Sequence, residues 1–237
     1  MLSIIVPVRN ESNIINEVFD YFSNNLKDIQ HEVLIINDFS NDDTFDKCKK
    51  LVDEYKNFRI FDNSKKGLGG AINLGINEAK GDNISIMMAD LSDDIDDLKR
   101  YNSLMEPGNF DAILGSRFTR DSKVKGYPIQ KLILNRVFNF FVSIVFLNKY
   151  NDYTNAFKIY KKKTLLEIMP LISESFNIFL EIPLKIISRN YKYKIISINW
   201  IGRKKGESKF KIKELGAKYL FTLIYCFIEK NLLNIKK

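Results

Sequence analysis

Short apolar, β-branched runs recur through the first half of this 237-residue chain, each followed by a polar segment and then a helical pattern. The runs are residues 2–7 (LSIIVP), 32–37 (EVLIIN), 58–61 (FRIF), 83–88 (NISIMM) and 111–115 (DAILG). Bounded by turn residues, they read as buried strands. Between them, Ser12 is placed to cap a helix carrying Ile14, Ile15, Val18, Phe19 and Phe22 at helical spacing. Thr44 is placed to cap a second, with Cys48, Leu51, Val52 and Tyr55 on one face, and Ala71, Leu74, Gly75 and Ala79 mark a third. Alternating strand and helix predicts an α/β fold: a doubly wound, mostly parallel sheet flanked by helices. Such sheets bind ligands at the carboxyl ends of their strands, so the residues after each strand carry the functional signal.

The second half is less regular. Residues 128–147 and 164–188 read as helices, 193–201 as a strand, 204–213 as a basic loop, and 213–233 as a final amphipathic or apolar helix. Charge divides in the same place. Residues 1–118 hold 13 Lys and Arg against 21 Asp and Glu, whereas residues 119–237 hold 24 against 8. An acidic half suits a divalent metal, and a basic half suits phosphates, nucleic acid or an anionic membrane; solvated surface charge is the alternative.

Two cysteines, Cys48 and Cys226, exclude a disulfide scaffold and a cysteine zinc site, and a single histidine, His31, excludes a multi-histidine metal centre. The first residues lack a basic leader, and no unbroken apolar run reaches the ~18 residues of a membrane span. Val137–Leu147 and Tyr219–Ile228 come partway.

Four strand ends hold chemistry. The first reads Pro7-Val8-Arg9-Asn10-Glu11-Ser12, and the second Asn37-Asp38 followed by Phe39-Ser40-Asn41-Asp42-Asp43. Each is either a ligand contact or a helix cap and Asx turn. Lys65-Lys66-Gly67-Leu68-Gly69-Gly70 opens a helix and lets backbone approach a phosphate, but it fails as a dinucleotide fingerprint because Ile72 stands at the third glycine. Asp90-Leu91-Ser92-Asp93-Asp94 is either a Mg²⁺ or Mn²⁺ site completed by a diphosphate, or an acidic turn before a helix.

In order, IIVPVRNES, IINDFSNDDT, KKGLGGAINLGINEAKGD, ISIMMADLSDD and DAILGSRF resemble the family 2 glycosyltransferases of the GT-A fold. GSR at 115–117, NDYTNAFKIY at 151–160 and GRKKGESKF at 202–210 look most like the dolichyl/polyprenyl-phosphate mannose and glucose synthase branch. The resemblance implies one GT-A domain over 1–212, with a nucleotide-sugar half (1–118) and an acceptor half (119–212), followed by a C-terminal helix at 213–237. It implies nucleotide-sugar contacts at Pro7, Arg9, Glu11, Asn37, Asp38, Lys66, Gly69 and Asp90, with Arg203, Ser208 and Lys209 closing over the diphosphate. It implies a metal, Mg²⁺ or Mn²⁺, at Asp90 with help from Asp93, and an acceptor phosphate at Arg117, Lys131 and Asn135. Asp90, Arg117 and Arg203 are the implied catalytic residues.

Departures from the pattern are Met88 for the first Asp of D-x-D, Asn37 for an Asp, Phe39 and Asp43 for glycines, Ala156 for Gly and Lys158 for Arg. Met88 is a poor ligand for a hard cation, so a weakened metal requirement is one consequence. The reaction implied is an inverting transfer from a nucleotide sugar such as GDP-mannose or UDP-glucose. With a polyprenyl phosphate acceptor, an existing oxyanion attacks and no base is needed. With a saccharide acceptor in envelope polysaccharide synthesis, a base is required, and Asp152 or Glu181 would be candidates. A lipid acceptor places the protein in the cytoplasm or on a membrane's cytoplasmic face, in peripheral contact through 213–233. No nucleic-acid motif is present. A homo-oligomer is left open.

Overall fold

The computed structural model describes residues 1–105, 108–202 and 212–232, with side chains in the last span from residue 216 onward. A seven-stranded sheet forms its centre, ordered β3-β2-β1-β4-β7-β5-β8. Its strands are β1 (Leu2–Val8), β2 (His31–Asn37), β3 (Phe58–Asp62), β4 (Asn83–Ile86), β5 (Ala112–Ser116), β7 (Lys158–Lys161) and β8 (Tyr193–Ser197). All neighbours run parallel except β7, which lies antiparallel between β4 and β5. A second, two-stranded sheet pairs β6 (Val124–Lys125) with β9 (Trp200–Ile201).

Helices α1 (Ile15–Asn25), α2 (Thr44–Glu54) and α4 (Ile95–Met105) pack on one face. On the other lie α3 (Leu68–Glu78), α5 (Ile129–Phe146), α6 (Lys162–Glu167), α7 (Ile178–Ser188) and α8 (Ile212–Leu232). The strands divide their side chains strictly between the two layers. Val33 and Ile35 face α1 and α2, whereas Leu34 and Ile36 face the α3 layer. This period of two, apolar on both faces, is why the central strands read as unbroken apolar runs.

The two halves of the chain wind from opposite sides of β1: β2 and β3 extend one way, while β4 and the later strands extend the other. The carboxyl ends of β1 and β4 therefore flank the switch point, where an open α/β sheet has its crevice.

Several local expectations change. Ser12 does not cap α1, which is preceded by Ile14 and has no side-chain cap bond; the Ser12 amide is bound instead by Asp42. Thr44 is the first residue of α2 rather than its cap. Its hydroxyl accepts from the Glu11 amide at 2.8 Å and donates to Asp42 Oδ1 at 2.5 Å, stitching the first two strand ends together. Strand β4 stops at Ile86, short of 88.

The expected helix at 164–188 is two helices, α6 and α7, because Pro170 cannot continue the first. The expected strand at 193–201 is β8 and β9, since the chain turns out of the sheet at Asn199, whose amide bonds Asp97 Oδ2 at 2.8 Å. Strand β7 was not foreseen. Helix α5 spans 18 residues and is long and apolar enough to cross a membrane by length and composition, although no unbroken apolar run announces it.

Candidate active site

Strand β2 ends in the buried pair Asn37 and Asp38. The Asn37 amide donates to Asp62 Oδ1 at 2.7 Å, so it ties β2 to β3. Asp38 Oδ1 accepts from the Gly67 amide at 2.7 Å and from Asn63 Nδ2 at 2.9 Å. The carboxylate thus sets the glycine loop that opens α3. Gly67 lies at φ 117°, which L side chains rarely adopt. A Cβ on Gly69 would overlap the Ser173 carbonyl oxygen. Loop and segment 173–174 therefore fit backbone to backbone, with the Gly69 amide donating to Glu174 O at 3.1 Å. Asn63, which also donates to Lys65 O, organises this corner and carried no sequence signal.

Of the other expected donor residues, Pro7 is buried in β1, Arg9 and Glu11 are half-buried at its end, and Lys66 is exposed on the glycine loop.

The acidic turn follows β4. Asp90 is half-buried, and its Oδ1 accepts from the Ser92 amide at 3.1 Å. Asp93 is buried and forms an isolated bridge to Trp200 of β9. Its carbonyl accepts from Tyr21 Oη at 3.1 Å. Burial, then the charge of Asp90, pushes the Asp93 carboxyl up to about 7 against the pull of Arg117 and Lys158. A buried carboxyl whose charge is disfavoured beside a second carboxylate is one that a dication would relieve. The described residues hold no cluster of three His, Cys, Asp or Glu that could bind a metal, so Asp90, with Asp93 beside it, fits a metal only if diphosphate oxygens or water supply further ligands.

Arg117 follows β5. Its backbone amide, Nε and Nη2 donate to Asp152 at 2.9, 2.8 and 2.7 Å. Asp152 is fully buried. Burial disfavours the guanidinium charge, but the Asp152 carboxylate outweighs it and raises the Arg117 pKa. Three aromatic rings surround this cation: Phe118 at 5.3 Å, Tyr127 at 5.5 Å and Trp200 at 5.9 Å from their centroids. Trp200 thus links the Arg117 wall to the acidic turn. Beneath them Lys158 is buried in β7, its Nζ donating to the carbonyls of Tyr153 and Asn155. Burial pulls its ammonium down to about 7, against the charge of Asp152.

Asn135 Nδ2 donates to Thr154 Oγ1 at 2.9 Å and to Tyr127 Oη at 3.3 Å, which brings α5 beside the same aromatic wall. Lys131 lies half-exposed one turn earlier on α5. Sequence reasoning missed Phe118, Tyr127 and Trp200; a solitary Trp was the only cue. Arg203, Ser208 and Lys209 lie outside the described residues.

The two base candidates are committed elsewhere. Asp152 holds Arg117. Glu181 is fully buried, accepts from the amides of Ile172 and Ser173 at 2.9 and 2.8 Å, and pairs with Lys185 at 3.3 Å.

Comparison with solved structures defines the fold. The chain superposes on a mycobacterial protein with a TM-score of 0.71, at 14% identity, covering 95% of this chain and 74% of that one. It superposes on glucosyl-3-phosphoglycerate synthase from Mycobacterium tuberculosis, solved with UDP, with a TM-score of 0.68, at 14% identity, covering 97% and 79%. That enzyme has also been solved with Mn²⁺, UDP and glucosyl-3-phosphoglycerate. The architecture is the GT-A glycosyltransferase fold.

The family follows from the sequence. The model described as glycosyl transferase family 2 matches residues 3–169, and the chain belongs to that family. It is 27% identical over 216 residues to dolichol-phosphate mannosyltransferase of Pyrococcus furiosus, covering 90% of this chain and 60% of that protein. It is 30% identical over 144 residues to a dolichyl-phosphate beta-glucosyltransferase of Trichomonas vaginalis, covering 56% and 44%. The chain therefore spans 60% or less of the length of these curated relatives.

Proposed function

We propose that this chain is an inverting, nucleotide-sugar-dependent glycosyltransferase that moves a hexose onto the phosphate of a polyprenyl or dolichyl phosphate at a membrane surface. The observation that carries the reading is the Arg117 wall: a buried guanidinium boxed by aromatic rings, joined through Trp200 to the acidic turn at the donor end. A fixed cation beside a metal- and diphosphate-type site suits an acceptor that is itself an anion. The curated relatives named for dolichyl-phosphate substrates support the same reading.

In this account the donor's nucleotide lies across the ends of β1 and β2, against Pro7, Arg9, Glu11, Asn37 and Asp38, with Lys66 and Gly69 along its phosphates. Asp90, with Asp93 adjoining, would hold Mg²⁺ or Mn²⁺, which when bound neutralises charge developing on the leaving diphosphate. Arg203, Ser208 and Lys209 would close over that diphosphate from the segment after β9. Arg117, Lys131 and Asn135 orient the acceptor phosphate. Its oxygen is already an anion at neutral pH, so it attacks the anomeric carbon without a general base. The buried, paired states of Asp152 and Glu181 agree with a reaction that asks nothing of them.

Helices α5 and α8 give the membrane contact. Phe138 meets Tyr219 and Phe146 meets Phe227, so the two helices run side by side in the same direction. Ile133, Phe140, Phe141 and Ile144 on α5, and Leu220, Phe221, Ile224 and Ile228 on α8, remain exposed. A paired apolar surface of this kind, flanked by lysines, lies in a headgroup interface. The protein would then work in the cytoplasm or on the cytoplasmic face of a membrane.

The test is a transfer assay with a panel of GDP- and UDP-sugars, Mg²⁺ or Mn²⁺, and a short polyprenyl phosphate. Organic-extractable labelled sugar that requires the lipid supports the reading. Nucleotide release with label only in water-soluble saccharide contradicts it.

A further inference from the structure

We propose that Arg136 holds the phosphate of the acceptor at the mouth of the site, with the acceptor's hydrocarbon laid along the exposed stripe of α5. The inference rests on the reading that the acceptor is a lipid phosphate, and it names the residues that grip its two ends.

Two guanidinium groups share the ring of Phe118: Arg117 at 5.3 Å and Arg136 at 4.8 Å from its centroid. They differ in what they have left to give. Arg117 is 8% exposed, and its charge is answered by Asp152. Arg136 is exposed, and no carboxylate pairs with it among the described residues. Arg117 is therefore a fixed post inside the wall, and Arg136 is a cation at its rim with donors to spare.

The neighbours of Arg136 define the ligand. On α5 it stands between Ile133, three residues before, and Phe140, four residues after, which are 57% and 67% exposed. With Ile129, Val137 and Ile144 they form one stripe along a helix about 27 Å long at 1.5 Å per residue. A guanidinium set within an exposed apolar stripe is complementary to one chemistry, a phosphate carried on hydrocarbon. A soluble sugar phosphate satisfies the cation and leaves the stripe bare. A neutral lipid does the reverse. Phe118 follows Arg117 directly at the end of β5, so the phosphate held there stands at the reacting site rather than among bulk headgroups.

The test uses the full chain with a prenyl phosphate of two isoprene units and one of about ten, in neutral detergent and in phosphatidylcholine vesicles with and without phosphatidylglycerol. Arg136→Gln is expected to raise the acceptor KM at least tenfold while the donor KM stays within twofold. Arg136→Lys should recover most of the loss. Phe140→Ser should raise KM for the long acceptor and spare the short one. A defect that appears only with phosphatidylglycerol assigns Arg136 to bulk lipid and overturns the proposal, as does an unchanged acceptor KM.

The single Trp, Trp200, beside Arg117, gives an independent readout by fluorescence titration without donor. Wild-type protein that binds prenyl phosphate no better than the matching alcohol overturns both the inference and the functional reading. Normal wild-type binding that Arg136→Gln leaves intact overturns the inference alone.

Discussion

Arg117 and Asp152 form a buried fork, with Nε on Oδ2 at 2.8 Å and Nη2 on Oδ1 at 2.7 Å, closed by a third bond from the Arg117 backbone amide. A bidentate pair with both partners out of water is rigid, and each member depends on the other. Removing one leaves an uncompensated buried charge. Arg117→Met and Asp152→Asn should each cost about 3–5 kcal/mol of unfolding free energy. The double variant should cost clearly less than the two added together, and urea titration of the four proteins measures the coupling. Strict additivity would mean that the fork is not a unit.

Asp90 is the second of two carboxylates that the resemblance expects, and Met88 occupies the position of the first. Asp90→Ala should therefore lower the transfer rate by about 100-fold or more, the scale for losing one aimed electrostatic contact. Metal-dependent donor binding, followed by calorimetry with Mg²⁺ and Mn²⁺, should fall with it. Full activity of the variant in saturating metal would remove Asp90 from the site.

Gly69 meets the Ser173 carbonyl with no room for a Cβ. Gly69→Ala must push segment 173–174 off the glycine loop, at about 1–3 kcal/mol. Because Gly67 in the same loop is held by Asp38, the donor KM should rise more than the acceptor KM. Steady-state kinetics with each substrate varied would show this, and equal changes in both would argue for general loosening.

Glu32 gives a pH test away from the site. Burial pushes its carboxyl up, but hydrogen bonds from Ser3, the Lys80 amide and Arg59 outweigh that and hold it below the ordinary value of 4.5. A lowered folded value means stability that is present above the unfolded value and lost as pH falls through the folded one. Glu32→Gln should be about 2 kcal/mol less stable at pH 7, with the gap to wild type closing at acid pH. Denaturant midpoints from pH 7 down to 3 would check it, and a gap constant with pH would refute the charge as the cause.

The donor half was legible because its strands are buried on both faces and its polar residues sit at strand ends, both of which local pattern reveals. Asn37, Asp38, Gly67 and Asp90 could be placed at one edge from alternation alone. The acceptor half resisted for physical reasons. Strand β7 is four residues long and begins with Lys158, a lysine buried by tertiary packing that no propensity foresees. The ring of Phe118, Tyr127 and Trp200 is assembled from separate segments, so no spacing records it. Helix α5 was legible at 128–147, but not its apolar length, because Asn135 and Asn139 interrupt the apolar run, and both serve internal bonds: Asn135 to Thr154, and Asn139 accepting from the Tyr153 amide at 2.6 Å. Ser12 and Thr44 failed as caps because loop-to-loop bonds through Asp42 claimed them first.

In the proposed reaction the nucleophile is a phosphate already charged and held at the Arg117 wall. This is tested most directly by comparing a prenyl phosphate, the prenyl alcohol of the same length and a free saccharide as acceptors under one nucleotide-sugar donor. Product is expected from the phosphate alone, with a rate flat between pH 7 and 9 because no base must titrate. Transfer to the alcohol or the saccharide at a comparable rate, rising with pH, would contradict it.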